Sequence, residues 1–279
     1  MLECVVNVSE GRARDVITAI AGAGGDAVLD VHSDPDHHRS VLTMAGSDLE
    51  AAVRAVAVAV VEAIDIHSHR GVHPRLGALD VVPFAPLSIA GDTIAQSADL
   101  DPAVEARDRF AAWAGAELAL PCFVYGPERS LPEVRLNAFA GLDPDTGPRH
   151  PHPSAGACAV GARPALIAYN VWLDTADEDV ARDVATALRS PVVRTLGVPA
   201  GGVTQVSCNL IDPMRFGPAD AYDAVTALAG QAGVGVVRAE LVGLISEAAV
   251  RVVPEDRWAQ LDIGLDRTIE ARLAERGGR

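Results

Sequence analysis

The sequence of 279 residues contains no lysine, so all 23 basic residues are arginine. This absence excludes mechanisms that need a Schiff-base lysine or a phosphate-loop lysine. Acidic residues outnumber basic ones, and the formal net charge of −15 would repel a nucleic acid. An anionic small-molecule substrate would therefore need a local cluster of arginines, whose planar guanidinium groups bind carboxylates in bidentate fashion.

Cysteines are few, and the four present lie far apart without CxxC spacing. This pattern argues against a zinc knuckle or a disulfide scaffold, and it favours a reducing compartment. We interpret each cysteine as a small buried residue, with a nucleophilic Cys158 or Cys208 left open as the alternative. No apolar run reaches the roughly 18 residues that a membrane span needs, and the N-terminus lacks the features of a signal peptide. We therefore expect a soluble, cytoplasmic protein.

Aromatic residues make up only 4% of the chain, whereas 49% is hydrophobic. This composition is typical of a well-buried core of helices and strands. Apolar runs alternate with helical periodicity, and each half of the chain predicts the order β-α-β-β-α-β. The predicted fold is α/β (α+β), with two such subdomains, mixed sheets and helices on the outer faces. We predict subdomains over residues 1–160 and 161–279.

Two helix starts and one irregular segment complete this reading of the chain. Ser9 is a candidate N-cap for the first helix, and Asp48 is predicted to cap a buried helix over residues 49–64. Residues 126–161 are rich in proline, glycine and histidine and show little periodicity. So long a segment within a compact domain is usually functional or a domain connection.

All eight histidines lie between His32 and His152. Three of them fall within DIHSHRGVHPRLGALDVVPF, residues 65–84, a Gly/Pro-rich connection that leads into a predicted strand. Titratable groups on such a connection are typical of functional sites. His73 is the leading candidate, because it lies between glycines at the start of the strand. His67 and His69 are candidates for a supporting or structural role.

Metal binding is the main alternative for the histidine-rich segments. HSDPDHH and HSHRGVH together contain enough imidazoles and carboxylates for a mononuclear or dinuclear site. Arginines are interleaved among these ligands, however, and an arginine beside a cation costs Coulomb energy. We therefore expect no metal. We interpret Arg39, Arg75 and Arg163 as carboxylate anchors, since each lies in a loop that flanks a strand.

Five segments, in this order, resemble the glutamate formiminotransferase family: ECVVNVSEGR, DVHSDPDHHRSV, HRGVHPRLGALDVVPF, PSAGACAVGAR and QVSCNL. This family is the folate-dependent transferase part of formiminotransferase-cyclodeaminase. The match extends from about residue 3 to residue 250, and HRGVHPRLGALDV is its most diagnostic element. The resemblance implies two α/β subdomains per chain, folate bound between them, and a homodimer.

The resemblance also implies the roles of individual residues. His73 occupies the histidine of the HPR(L/M)GALDV motif and would be the catalytic residue, with His32 and Asp34 as candidate orienting partners. Tetrahydrofolate would lie along residues 147–156, where the candidate binding residues are Gly147, Pro148, Pro153, Ser154 and Gly156.

The implied reaction moves a formimino group from N-formimino-L-glutamate to the N5 nitrogen of tetrahydrofolate, in one-carbon metabolism and histidine catabolism. A histidine with a pKa near neutrality can take the proton from the attacking nitrogen and return it to the leaving amine. We expect a separate cyclodeaminase to act on the product, and we expect neither a nucleic acid nor a membrane as partner. Three alternatives stay open: a related formyl or formimino-amino-acid transferase, a metal-dependent amide or amidine hydrolase, and a folate carrier without turnover.

Overall fold

A computed structural model describes residues 1–71, 75–90, 93–96 and 99–277. The chain divides into two compact units, and each has its own hydrophobic cluster. Unit 1 comprises Met1–Ser88 and Gln96–Ala165, and unit 2 comprises Ile89–Ala95 and Leu166–Arg279. Helices and two sheets occur together, which confirms the predicted α+β class.

The larger sheet has seven strands within the described part of the chain. They are β1 (Leu2–Val8), β2 (Val28–Asp34), β3 (Arg39–Ala45), β4 (Leu79–Ala90), β5 (Thr93–Gln96), β6 (Cys122–Tyr125) and β7 (Cys158–Ala162). Their order is β2-β3-β1-β4-β7-β6, and β5 pairs with β4 outside this path. The first four strands pair antiparallel, whereas β4, β7 and β6 run parallel, so this sheet is mixed, as predicted.

Four helices belong to unit 1: α1 (Arg14–Ala23), α2 (Leu49–Ala63), α3 (Asp101–Glu117) and α4 (Leu131–Asn137). Alternate residues of β1, such as Cys4 and Val6, share a buried cluster with Val53 of α2 and with side chains of α1 and α3. Phe123 of β6 points to the opposite face, where it packs in a second cluster with Val134 of α4. Helices therefore lie on both faces of this sheet.

The start of α1 corrects one prediction. The helix begins at Arg14, and Ser9 does not cap it, because the Ser9 hydroxyl donates to the Gly77 carbonyl at 2.7 Å. The Glu10 carboxylate accepts hydrogen bonds from the backbone N–H groups of Arg12 and Ala13 instead. The bounds predicted for α2 were accurate to one residue, with Asp48 at the N-cap position, but the predicted cap is wrong because the Asp48 side chain makes no capping hydrogen bond.

Unit 2 contains four further strands and four further helices within the residues described. The strands are β8 (Ile167–Leu173), β9 (Val193–Ala200), β10 (Val203–Leu210) and β11 (Val236–Val242). The helices are α5 (Glu178–Leu188), α6 (Pro218–Gln231), α7 (Glu247–Arg251) and α8 (Ile269–Gly277). The succession β8-α5-β9-β10-α6-β11 is the predicted β-α-β-β-α-β order, and it folds into a sheet of order β11-β8-β10-β9.

The prediction of a mixed sheet is wrong for unit 2. The pairings of β8 with β10, β10 with β9, and β8 with β11 are all antiparallel. The reason is topological. The strands β8 and β9, which α5 connects, run in the same direction, but β10 lies between them, so no two parallel strands are neighbours.

Several loops lie together at one end of the strands of the larger sheet. Val8, at the end of β1, pairs with Ser40 near the start of β3 and with Leu79 at the start of β4. Because β4, β7 and β6 are parallel, with Val81 paired to Ala159, their amino ends lie at this same edge. We call it the loop edge. It is the edge where β1 and β2 end and where β3, β4, β6 and β7 begin.

No helix among the described residues is long and apolar enough to cross a membrane.

Candidate active site

Four segments that the sequence singled out meet at the loop edge of unit 1. They are the residues after β1, the hairpin between β2 and β3, the connection before β4, and the segment before β7. His73, which the sequence predicts as the catalytic residue, lies outside the described residues, as do Val72 and Pro74.

The connection before β4 is held against the segment before β7 by backbone hydrogen bonds. Ile66 N donates to Ser154 O at 2.8 Å, and Ala78 N donates to Ala155 O at 2.8 Å. The approach is so close at Gly77 that a Cβ there would lie 2.2 Å from Ala155 O. The motif predicted to carry catalysis and the segment predicted to bind folate are therefore in direct contact.

The candidate folate-binding residues are not equally placed. Gly156 forms an isolated bridge with Gly77, so it belongs to this contact together with Ser154. Gly147 lies against the backbone before β6, where a Cβ would be 2.7 Å from Leu120 O. Pro148 is half-buried, and Pro153 is exposed.

The hairpin between β2 and β3 contains two predicted orienting residues. Asp34 Oδ1 accepts hydrogen bonds from the backbone N–H groups of Asp36 and His37, each at 2.8 Å. Its Oδ2 lies 3.4 Å from His37 Nδ1, so this carboxylate stabilises the hairpin itself. His32 is half-buried on β2, where it pairs in register with Val41.

Arginines gather around one buried carboxylate at the loop edge. Asp80 is 1% exposed and accepts hydrogen bonds from Leu76 N and from the Arg135 guanidinium, both at 2.7 Å. Burial lowers the pKa of Arg39 and of Arg75, and the charge of Asp80 opposes that effect in both. The three guanidinium groups thus share the field of Asp80.

Asp80 owes its position to a β-bulge. Asn7 pairs with Val81 but the next residue, Val8, pairs with Leu79, so Asp80 is an extra residue in β4 without a partner on β1. Bulges re-aim a side chain relative to the alternating pattern of a strand. Here the bulge allows both Asp80 and Val81 to face the side of the sheet on which α4 lies.

Arg163 does not join this cluster. It follows the carboxyl end of β7, whereas the loop edge is at the amino end, about 17 Å away across a strand of five residues. Its backbone N–H donates to Phe84 O at 3.1 Å. Burial raises the pKa of Glu3 to about 7, and the charge of Arg163 partly opposes that rise. Unit 1 therefore brings Arg39 and Arg75 together but places Arg163 at the opposite edge.

His69 and His67 have different surroundings. His69 Nε2 donates to His38 O at 2.8 Å, and the Arg75 guanidinium contacts His69 Nδ1. Burial lowers the pKa of His69, and the charge of Arg75 lowers it further. His67 is exposed and lies 2.9 Å from the Asp65 carboxylate. His69 thus has a structural role that connects this loop to the hairpin.

The cysteines and the residue types that bind metals provide no further catalytic group within the described part of the chain. All four cysteines are buried, as predicted, and burial raises the pKa of Cys158 strongly and that of Cys208 to about 12. Such thiols stay protonated and are poor nucleophiles. Among the residues that the structure describes, no group of three or more His, Cys, Asp or Glu side chains could hold a metal ion.

Comparison with known proteins gives the family. Residues 1–163 match the family model described as the formiminotransferase domain, N-terminal subdomain. The chain belongs to the formiminotransferase family.

Relatives cover nearly the whole chain. It is 34% identical to the glutamate formimidoyltransferase of Streptococcus pyogenes serotype M1, over 91% of this chain and 92% of that protein. Identity to the glutamate formimidoyltransferase of Thermoplasma acidophilum is 35%, over 90% and 89% of the two chains. The formimidoyltransferase-cyclodeaminase of Sus scrofa is 32% identical over 88% of this chain, which spans 50% of that protein. These likenesses identify this member of the family as a transferase.

Sequence reasoning missed several residues at the loop edge of this formiminotransferase. Asp80 and Glu10 lie within two of the motifs that carry the family resemblance, so their presence was visible although their contacts were not. His38 was grouped with the other histidines without a role. Arg135 follows Asp80 by 55 residues and had no local signal, because only the folded chain brings it to α4 beside β4.

Proposed function

We propose that this formiminotransferase moves a formimino group from N-formimino-L-glutamate to the N5 nitrogen of tetrahydrofolate. One observation carries the proposal: the histidine-containing connection before β4, the arginine cluster and the segment before β7 share one edge of one sheet. The names of the relatives from Streptococcus pyogenes and Sus scrofa support the formimino group as the group that is transferred.

Both proposed substrates carry carboxylates, which match the guanidinium groups that gather around Asp80. Arg39 and Arg75 would bind carboxylates near the reacting atoms, and this would fix the orientation of the two substrates. Arg163 lies at the opposite edge, so it would reach only a carboxylate far from the reacting centre, as in an elongated folate. The segment with Gly147, Pro148, Pro153, Ser154 and Gly156 would contact the folate.

The chemistry is amidine exchange through a tetrahedral intermediate. The attacking nitrogen must lose a proton and the departing glutamate nitrogen must gain one, which is general acid–base catalysis. His73 would move the proton, with His32 and Asp34 as orienting partners. The hydrogen bonds of Asp34 within the hairpin favour an indirect part for this carboxylate, since its oxygens already accept from two backbone N–H groups.

The wider assignments belong to the same proposal. Residues 1–160 and 161–279 would be the N- and C-terminal formiminotransferase subdomains, and the chain would form a homodimer in the cytoplasm and act in histidine catabolism. Several animal relatives bear the double name formimidoyltransferase-cyclodeaminase. A cyclodeaminase that consumes the product is therefore a natural partner for this chain.

The test is to follow, by ultraviolet absorbance, the formation of a folate adduct from tetrahydrofolate and N-formimino-L-glutamate. We expect transfer that requires both substrates and that persists in the presence of a chelator. A metal-dependent hydrolase would consume the donor without folate and would stop with chelator. A folate carrier would bind tetrahydrofolate without turnover. A formyl or a different formimino-amino-acid donor, tried in parallel, distinguishes the related transferases.

A further inference from the structure

Glu10 and His38 form a carboxylate–imidazole pair at the loop edge. Glu10 follows β1, and His38 lies in the hairpin between β2 and β3. His38 Nε2 lies 3.1 Å from Glu10 Oε1, and the two side chains are only 13% and 15% exposed. Glu10 Oε1 is fixed in turn by hydrogen bonds from Arg12 N at 2.7 Å and Ala13 N at 3.0 Å.

This pairing determines which nitrogen of His38 can accept a proton. A carboxylate accepts only from a ring N–H, so Glu10 holds the neutral imidazole as the Nε2–H tautomer. Nδ1 then carries a lone pair. This Nδ1 atom is buried and has no hydrogen-bond partner among the described residues. A buried acceptor of this kind costs free energy unless a ligand supplies the donor.

The charges around His38 keep it neutral. Glu10 and Arg12 face it from the segment after β1, and His69 and Arg75 face it from the connection before β4. Burial lowers the pKa of His38, and Arg12 and Arg75 lower it further, while Glu10 acts in the opposite direction. A neutral imidazole is the form that a proton acceptor needs at neutral pH.

The neighbouring histidine lacks this capacity. His69 packs beside His38 with 4.0 Å between ring centroids and the ring planes tilted by 47°, but both of its ring nitrogens are engaged, by His38 O and by Arg75. His38 Nδ1 therefore carries an oriented lone pair that no described residue occupies, in contrast to the ring nitrogens of His69.

We propose that His38, oriented by Glu10, is a second catalytic histidine that accepts the proton from the attacking nitrogen. This proposal rests on the proposed formimino transfer, and it divides between His38 and His73 the two proton transfers that were assigned above to His73 alone. As the lone pair of N5 forms the new bond to the formimino carbon, the π pair of the C=N bond moves onto its nitrogen, and the N–H bond at N5 breaks as its proton passes to His38 Nδ1. Glu10 stabilises the imidazolium. The pair on that nitrogen then re-forms the C=N bond, while the glutamate nitrogen leaves with the electron pair of its own C–N bond and takes a proton from His73. Exchange with water then resets both histidines.

The decisive variant is His38→Asn. Residue 38 has a φ of 51°, a conformation that asparagine adopts more readily than most residues, so the hairpin should persist. We expect kcat to fall about 100-fold, with each KM changed less than about threefold, because a basic nitrogen and not a binding contact is lost. The acid limb of the pH profile of kcat/KM should also disappear. Unchanged kcat, or a rise in KM alone, would overturn the proposal.

Glu10→Gln tests the orienting carboxylate. Glutamine can still accept the backbone hydrogen bonds and that of His38 Nε2, but it removes the negative charge that raises the pKa of His38. The acid limb should therefore move to lower pH, an effect that a purely structural role would not produce. Glu62→Gln, at an exposed position of α2, is the matched control and should leave kcat and the pH profile unchanged.

Two further results separate the possible failures. A wild-type protein that transfers no formimino group contradicts the proposed function, whereas an active wild type with a fully active His38→Asn variant contradicts only the role of His38. Nitrogen NMR of the imidazoles in the full chain provides a readout that does not need turnover. It should show the Nε2–H tautomer for His38, and the Nδ1–H tautomer would overturn the proposal.

Discussion

The turns between the second and third strands of the two units differ sharply. In unit 2, Gly201 and Gly202 connect β9 to β10 with φ values of 57° and 83°, a two-residue turn that has no side chain to offer. In unit 1, residues 35–38 connect β2 to β3 and carry His37 and His38. The connection between the second and third strands of the β-α-β-β-α-β pattern is therefore a two-residue turn in unit 2. In unit 1 the same connection carries titratable side chains.

The connections before the last strand of each pattern differ in the same direction. Residues 232–235 join α6 to β11 in unit 2, whereas residues 64–78 join α2 to β4 in unit 1 and contain the histidine and arginine motif. Unit 1 also adds β7 and β6, whose parallel pairing brings the segment before β7 to the same edge. The comparison teaches that the shared pattern is a scaffold, and that loop length and loop chemistry decide where a site forms.

The largest expected effect comes from the connection before β4. We expect His73→Ala to lower kcat by about a thousandfold or more, because general acid–base groups contribute factors of this size. Folate binding, measured by fluorescence or calorimetry, should stay nearly intact. Full activity in this variant would contradict the proposal that the long connection of unit 1 carries the catalytic residue.

The buried arginine–carboxylate pair distinguishes unit 1 energetically. Asp80→Asn should lower the free energy of unfolding by about 3 kcal/mol, because it leaves Arg135 partly buried without its counter-charge. Urea unfolding measures this loss. Asp223→Asn in unit 2 is the matched control, since Asp223 also pairs with both terminal nitrogens of an arginine, Arg257, but is 59% exposed. We expect at most about 1 kcal/mol there. Equal losses of unfolding free energy in the two variants would contradict the expected difference between a buried and an exposed ion pair.

The stability of the protein should depend on pH through Glu3. This residue lies at the edge of unit 1 that carries no candidate histidine. Its pKa is raised from 4.5 to about 7 in the folded protein, so the folded state retains a proton that the unfolded chain has released. Stability should therefore decrease as the pH rises from about 4.5 to 7. Glu3→Gln cannot ionise, and its stability relative to wild type should grow by on the order of 2 kcal/mol across this window. Urea titrations at pH 5 and pH 8 test this, and a pH-independent difference would refute it.

The smallest expected effect lies in the glycine turn of unit 2. Gly201→Ala should cost about 1 kcal/mol, because a Cβ is strained at positive φ. Gly201→Asn should cost less, since asparagine tolerates this region. Thermal unfolding measures the difference, and kcat should be unchanged in both. A loss of activity at constant stability would give this turn a functional part.

Regular elements were predictable where the pattern of hydrophobic residues is strong. α2 was predicted within one residue of its observed bounds, because its apolar positions follow the period of a helix. The strand β7 was missed. Its residues Cys158–Ala162 are all buried between β4 and β6, and a central strand of this kind lacks the alternation that would have revealed it.

Local signals at α4 were present but not used. Ser130 and Glu133 form a capping box with Pro132 in the first turn, a signature that the printed sequence contains. Four of the motifs that the sequence singled out reach the loop edge, whereas Arg163 lies at the opposite edge and QVSCNL belongs to β10 of unit 2. The charge balance of the candidate site was not predictable from the sequence. The pairing of Asp80 with Arg135 and of Glu10 with His38 depends on tertiary contacts between distant segments.

The bulge at Asp80 bears on how the family can vary in length. Substitutions along β4 exchange one side chain at a time, but a residue inserted or deleted between Gly77 and Val82 would shift every later position of the strand to the other face. The Gly77 contact fixes one end of this interval, and the pairing of Val81 with Ala159 fixes the other. Natural relatives should therefore tolerate changes of residue here far better than changes of length.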